Sequence, residues 1–181
     1  MVAHTSAGGL IVTRYVVQGW PGASDTYKVT LMLALAGQRW SLMAAPETVA
    51  GPALLADGQP ISEAGVILDF LAEQTRRFGP KSEDERRQVL RWMLFEARCL
   101  GGSRHALPRP AEALALVDGH LAHHDFLLGR RLTIADVALG GALLVAQGRG
   151  LGMNGFVQVE NWLDRIRAQP GWRSPDDLAK P

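Results

Sequence analysis

The stretch from Pro52 to Gln74 constrains the fold more than any other part of the chain. Two short apolar runs flank Asp57-Gly58, a pair that tolerates positive φ and reads as a tight hairpin. A helix follows. Ser62 or Glu63 stands where its first free N–H groups point, and Val66, Ile67, Phe70 and Leu71 form one apolar stripe that must pack on something. A helix start placed beside a strand in this way is a ready site for an anion.

Composition narrows the classes that such a unit can belong to. The 181 residues, 47% apolar and 20% charged, suit an ordinary soluble domain or two small ones with a substantial core. A net charge of +1 gives no footing for nucleic acid as a partner. Cys99 is the single cysteine, so no intrachain disulfide forms, which fits a reducing cytoplasm. The opening residues carry neither the basic region nor the apolar segment of a secretory leader. The longest apolar run, Val137 to Ala146, holds two glycines and falls short of the roughly 20 residues that cross a bilayer, so no membrane partner is expected.

Taken in order, Leu10 to Val17 reads as a strand and Gln18 to Asp25 as a loop punctuated by glycine and proline. A helix capped by Ser24 or Asp25 then carries Val29, Leu31, Met32, Leu33 and Leu35 to a stop at Gly37. Gln38 to Met43 is a second strand, and the Pro52 hairpin and its helix complete an α/β unit of about 75 residues. Arg76 to Lys81 has linker character. Beyond it every periodic segment is helical. Ser82-Glu-Asp-Glu85 reads as a capping box opening a helix that carries Val89, Leu90, Met93, Leu94 and Ala97 and runs to Gly101-Gly102. Residues 103–109 read as loop. Pro110 starts a helix carrying Leu114, Leu116, Val117 and Leu121. Thr133 and Asp136 form a second capping box, with Leu132 and Val137 as its hydrophobic staple, and the helix after it is apolar on nearly every face and belongs at the centre. A last amphipathic helix uses Val159, Trp162, Leu163 and Ile166. The boundaries expected are 1–76 for the α/β unit and 82–181 for the helical one.

Five segments in this order resemble the glutathione S-transferase superfamily: Trp20 to Leu31, Pro52 with Asp57-Gly58, Ile61 to Leu71, Leu128 to Val137, and Asn161 to Trp172. The resemblance implies a fold class of α/β plus all-α: a thioredoxin-like N-terminal domain carrying a glutathione site, then a helical glutathione-transferase domain. It also implies an acceptor pocket between the two and a homodimer. By the resemblance, a cis proline at Pro52 exposes the backbone of Gly51 to the cysteinyl unit of glutathione. Ser62, Glu63 and Ala64 receive its γ-glutamyl carboxylate at a helix start, and Trp20, Trp92, Phe95 and Cys99 border the acceptor.

Glutathione chemistry needs a thiolate, because a free thiol has a pKa of about 8.5. The family lowers it with Ser, Tyr or Cys near the start of the first helix. Counting back from Lys28-Val29, the Ser and Cys positions fall on Ala23 and the Tyr position near Gly19. Ser24 is adjacent, and two readings stay open for it: a hydroxyl presented to sulfur, or a helix cap. The family's Glu-Ser pair is Glu63-Ala64 here. One lost hydrogen bond to a charged group costs about 1.5–3 kcal/mol, or roughly ten- to a hundredfold in affinity. Met43 to Gly51 leaves little room for the family's helix between its second and third strands, and the connection around Gly101 to Pro110 is terse.

Other clusters carry less. His120 and His124 have the i, i+4 spacing of a metal pair, yet Asp118 and Asp125 would point away from that face, so no metal is expected. Cys99 has apolar helical neighbours and reads as packing. Arg91 and Arg98, seven apart, could meet an anionic acceptor or water. Two functions remain in view. The first is glutathione-dependent conjugation or isomerisation of a small electrophilic apolar compound. The second is a glutathione-independent member of the same fold, acting as a binding or scaffold protein or as a specialised biosynthetic enzyme.

Overall fold

A computed structural model describes residues 4–6, 9–11, 14–45, 51–100 and 110–179. A hairpin of β1 (His4–Ser6) and β2 (Gly9–Ile11) stands as a separate two-stranded sheet. The strand expected over residues 10–17 is therefore two pieces, and the second, β3 (Tyr15–Gln18), belongs to the main sheet. Just before β3, the Arg14 carbonyl accepts from Asp57 N–H at 3.1 Å, in the turn of the neighbouring hairpin. After α1 (Ser24–Leu35), strand β4 (Trp40–Met43) pairs parallel with β3. β5 (Ala53–Ala56) pairs antiparallel with β3, and β6 (Gln59–Ser62) with β5, giving the order β4-β3-β5-β6. Asp57 and Gly58 both have positive φ, +49° and +83°, the two-residue hairpin turn that matches strand twist.

The helices follow as α2 (Ala64–Thr75), α3 (Glu83–Cys99), α4 (Pro110–Leu121), α5 (Ile134–Gly148), α6 (Val157–Arg167) and a short α7 (Pro175–Leu178) that sequence reading missed. The fold class is as expected: a small mixed sheet with its helices, then a helical array. The connection expected to be loop around residues 103–109 and most of Met43 to Gly51 lie outside the described residues.

Two expectations about helix starts need correction. Ser24 is the first helical residue rather than a cap; the N-cap is Ala23, and no side chain bonds the free N–H groups there. At α3, Ser82 Oγ accepts from Glu85 N–H at 3.2 Å, but the Glu85 carboxylate accepts from Lys81 N–H at 2.6 Å and from Arg131 instead of closing the box on Ser82. That diverts Glu85 into pinning the 76–81 segment, which is also held by Arg131 Nη1 donating to the Gly79 carbonyl and Ile134 N–H donating to that of Phe78.

Burial corrects the expected faces. Val89, Trp92 and Glu96 are the buried side of α3, while Leu90, Leu94 and Ala97 are exposed, as are Val66 on α2 and Leu116 on α4. The rest of the expected core holds: all of α1 from Thr26 to Leu35, and α5 from Ile134 to Val145, are buried. The box at α5 forms as the spacing predicts. The Asp136 carboxylate, wholly buried, accepts from Thr133 N–H at 2.8 Å, Thr133 Oγ1 at 2.9 Å, Leu127 N–H at 2.8 Å and Trp162 Nε1 at 3.0 Å. One side chain thus ties the start of α5, the preceding turn and α6 together. Burial pushes its pKa up and these donors pull it down. Asp136→Ala strands four buried donors and should cost at least about 3 kcal/mol, with Asp136→Asn costing less; urea unfolding that finds the alanine variant within about 1 kcal/mol of the parent would refute this role.

Candidate functional site

A cleft of about 190 Å³ lies between the start of α1, Gly51-Pro52 and the C-terminal turn of α3, with half-exposed Trp20 on its lining. It brings together Trp20, Ser24, Gly51 and Pro52 from the expected site, along with Ala23, Asp25, Thr26, Lys28, Glu96 and Leu100. The N–H groups of the first turn of α1 have no capping side chain, so the positive end of the helix dipole is open to this cleft.

Two family positions have no side chain to offer. Ala23 lines the cleft without a hydroxyl or thiol. Gly19 has no room for one, because a Cβ there would lie 2.4 Å from Thr26 Oγ1. Gly19 N–H instead donates to the Met43 carbonyl at 3.0 Å, so the loop is backbone-tied to the end of β4. The peptide bond from Gly51 to Pro52 is not cis, contrary to the resemblance. Gly51 at φ +84° turns the chain into β5 by a backbone conformation that glycine reaches without strain.

Ser62, Glu63 and Ala64 do not line the cleft, but the sheet sets them beside it: Ser62 pairs with Ala53, so Glu63 follows next to Pro52. Glu63 is the N-cap of α2 with φ +70° and ψ +118°, a strained conformation for a residue with a Cβ, and no side chain bonds the helix start. Ala64 is buried and Ser62 exposed.

Trp92, Phe95 and Cys99 are not brought to the cleft. Trp92 and Phe95 pack edge to face at 5.6 Å and line a separate groove of about 1060 Å³ between α3 and α4, together with Leu90, Leu94, Arg91, Arg98, Leu116 and His120. Cys99 is half-buried and lines neither space. The His120 and His124 rings stack at 4.4 Å, and each points a nitrogen at a backbone carbonyl, of Leu127 and His120 respectively, both at 2.9 Å. Those nitrogens must carry protons to make the bonds, which leaves them unable to ligate a metal. Burial lowers the pKa of His120.

The groups that sequence reading missed form the charged centre of the cleft. Lys28 Nζ, on a residue 3% exposed, donates to Asp25 Oδ1 at 2.6 Å and to Glu96 Oε1 at 2.7 Å. Glu96 is 6% exposed, and burial raises its pKa against the pull of Lys28. The signal was present: Val89, Trp92 and Glu96 share one face at i, i+3 and i+7, and a carboxylate on an otherwise apolar face implies a buried cation.

With this geometry in view, residues 104–170 match the family described as glutathione S-transferase, C-terminal domain. A possible glutathione S-transferase from Rhodopseudomonas palustris superposes with a TM-score of 0.82 at 28% identity, over 91% of this chain and 98% of that one. A theta class glutathione S-transferase from Xanthomonas axonopodis pv. citri with glutathione bound superposes with a TM-score of 0.78 at 19% identity, over 94% and 98%, a likeness of fold alone. The disulfide-bond oxidoreductase YfcG of Escherichia coli (strain K12) is 28% identical over 134 residues, 62% of each chain. The chain spans between 25% and 62% of the lengths of the curated relatives it matches. The fold and the C-terminal domain are those of the glutathione S-transferase superfamily.

Removing one partner of a buried pair leaves an uncompensated charge. Lys28→Met should cost about 3–5 kcal/mol at neutral pH. The stranded Glu96, its pKa raised further, is tolerated once protonated, so the loss should shrink as pH falls through that pKa. The double variant Lys28→Met, Glu96→Leu should be close to the parent and lack that pH dependence. Urea unfolding across pH decides; a single variant with flat, parent-like stability would remove the pair from the account.

Proposed function

We propose that this chain is a glutathione-dependent transferase that conjugates or isomerises a small, mostly apolar electrophile. The observation that carries the reading is Glu63. A non-glycine residue held at φ +70° and ψ +118° carries the kind of backbone strain that clusters at ligand clamps, and it opens an uncapped helix start beside Pro52. In this reading the γ-glutamyl carboxylate sits at Ser62, Glu63 and Ala64, and the cysteinyl backbone lies along Gly51-Pro52. The sulfur enters the cleft beside Ser24, whose hydroxyl and N–H favour the thiolate. Trp20 flanks the electrophile, while Trp92, Phe95 and Cys99 lie outside the cleft. The cleft is small for a whole ligand, which suits one thiol and the reacting end of an acceptor.

The division at 1–76 and 82–181, a cytoplasmic setting and a homodimer belong to the same proposal. Leu90, Leu94 and Leu116, each more than half exposed along the α3–α4 groove, support the dimer. The glutathione-independent alternative is favoured by Ala23 and Ala64, which remove side-chain donors from both ends of the same site.

Calorimetric titration should give millimolar or tighter binding of glutathione, and an aryl halide should be conjugated. Ser24→Ala should slow conjugation while leaving affinity nearly unchanged. No heat at several millimolar ligand would overturn the proposal in favour of the alternative. Light scattering should return twice the monomer mass, and Leu94→Arg should halve it; a monomeric parent contradicts the dimer.

A further inference from the structure

Ser24 can stabilise a thiolate but cannot take a proton from a thiol at neutral pH, since its own hydroxyl is far less acidic than sulfur. A proton acceptor has to come from elsewhere in the cleft. Among the described residues lining it, the titratable side chains are Asp25, Lys28 and Glu96. Asp25 is exposed to solvent and already accepts from Lys28. Glu96 differs. It is buried and reaches the cleft from α3, opposite the open N–H groups of α1, and it is already bonded to a buried ammonium.

We propose that Glu96 and Lys28 together form the thiol-activating pair of this protein, Glu96 taking the proton and Lys28 holding the sulfur anion. The assignment rests on glutathione binding in this cleft. In the step, the S–H bond breaks, its proton passes to a Glu96 oxygen, and the bonding electrons stay on sulfur. Lys28, which had balanced the Glu96 carboxylate, balances the thiolate instead. The ammonium has three donors, of which two are used at Asp25 and Glu96, so the third is available to sulfur. The charge within the cleft is the same before and after, which is why a buried site can host the transfer. The thiolate then attacks the electrophilic carbon. The leaving group departs with its electron pair and takes up the proton from Glu96, which returns to the carboxylate.

Burial lifts the basicity of Glu96 toward that of a thiol, which shrinks the energy of the transfer. The charged groups acting on it are Lys28 and Asp25, both on α1. Of the other helices against α3, α5 presents only apolar residues and glycine from 137 to 145, α2 sets Asp69 and Glu73 against Arg86 near the start of α3, and α4 sets His120 against Trp92. A helix tie alone would not need the pair to open on a cleft.

The test follows bound glutathione by the ultraviolet absorbance of its thiolate as pH is varied, in the parent and in Glu96→Gln, with S-methylglutathione as a ligand that has no proton to give. The glutamine keeps the shape and an oxygen to accept from Lys28. In the parent, the bound thiol should titrate well below about 8.5. In E96Q it should move back toward that value, and conjugation at neutral pH should fall about a hundredfold, while affinity for S-methylglutathione changes less than about twofold. Should E96Q fail to fold by circular dichroism, the parent alone decides. Its kcat/KM should rise with one ionisation lying above the ordinary carboxylate range and below that of the free thiol. Binding of both ligands with an unchanged thiol titration in E96Q, or a parent profile that follows the free thiol, overturns the pair and leaves the glutathione reading intact. Failure of both ligands to bind the parent overturns both.

Discussion

The close approach of α5 to the helices around it is the constraint on which the rest depends. Gly140 and Gly141 sit at its middle. A Cβ at Gly140 would lie 2.5 Å from Ile166 Cδ1 on α6, and one at Gly141 would lie 3.0 Å from Lys28 Cγ on α1. The pair of glycines therefore lets α1 and α6 close on α5 from two sides, at the known cost of glycine inside a helix. Asp136 offsets that cost by fixing the first turn with four hydrogen bonds. What results is a rigid post against which the α/β unit is set, with α1 buried along its length.

The position of Lys28 follows from this. Because α1 is buried between the sheet and α5, its second-turn lysine cannot snorkel to water, and its charge has to be met inside the protein. Asp25, one turn earlier, and Glu96, reaching over from α3, meet it. The packing that seats the α/β unit on the helices thereby places a buried acid–base couple at the edge of the one cleft that Gly51-Pro52 and the open end of α1 share. Structure and chemistry have the same origin here.

Much of the fold was legible because its signals are local. The 3.6-residue periodicity of α6, the Thr133-to-Asp136 spacing that opens the all-apolar α5, and Asp57-Gly58 each encode one element within a few residues. The site was legible only in part. Ser24, Gly51 and Pro52 could be placed from short motifs, but Lys28 and Glu96 lie 68 residues apart and meet only through packing. Leu90, Leu94 and Leu116 read as core by apolar character alone, while the structure leaves them exposed, because hydrophobicity does not say which face a neighbour covers. The cap at Ser24 and the box at Ser82 failed for a related reason. Cap residues bond whatever their tertiary setting offers, and for Glu85 that was Lys81 and Arg131.

The central claim is that the open starts of α1 and α2 and the Gly51-Pro52 turn act as one glutathione site. Amide chemical-shift mapping during a glutathione titration tests it most directly. The account predicts shifts that move together at Ala23 to Asp25, Gly51, and Glu63 to Gly65, with little change at Leu94 or Leu116 across the protein. Shifts confined to the α3–α4 groove, or none at saturating ligand, would contradict it.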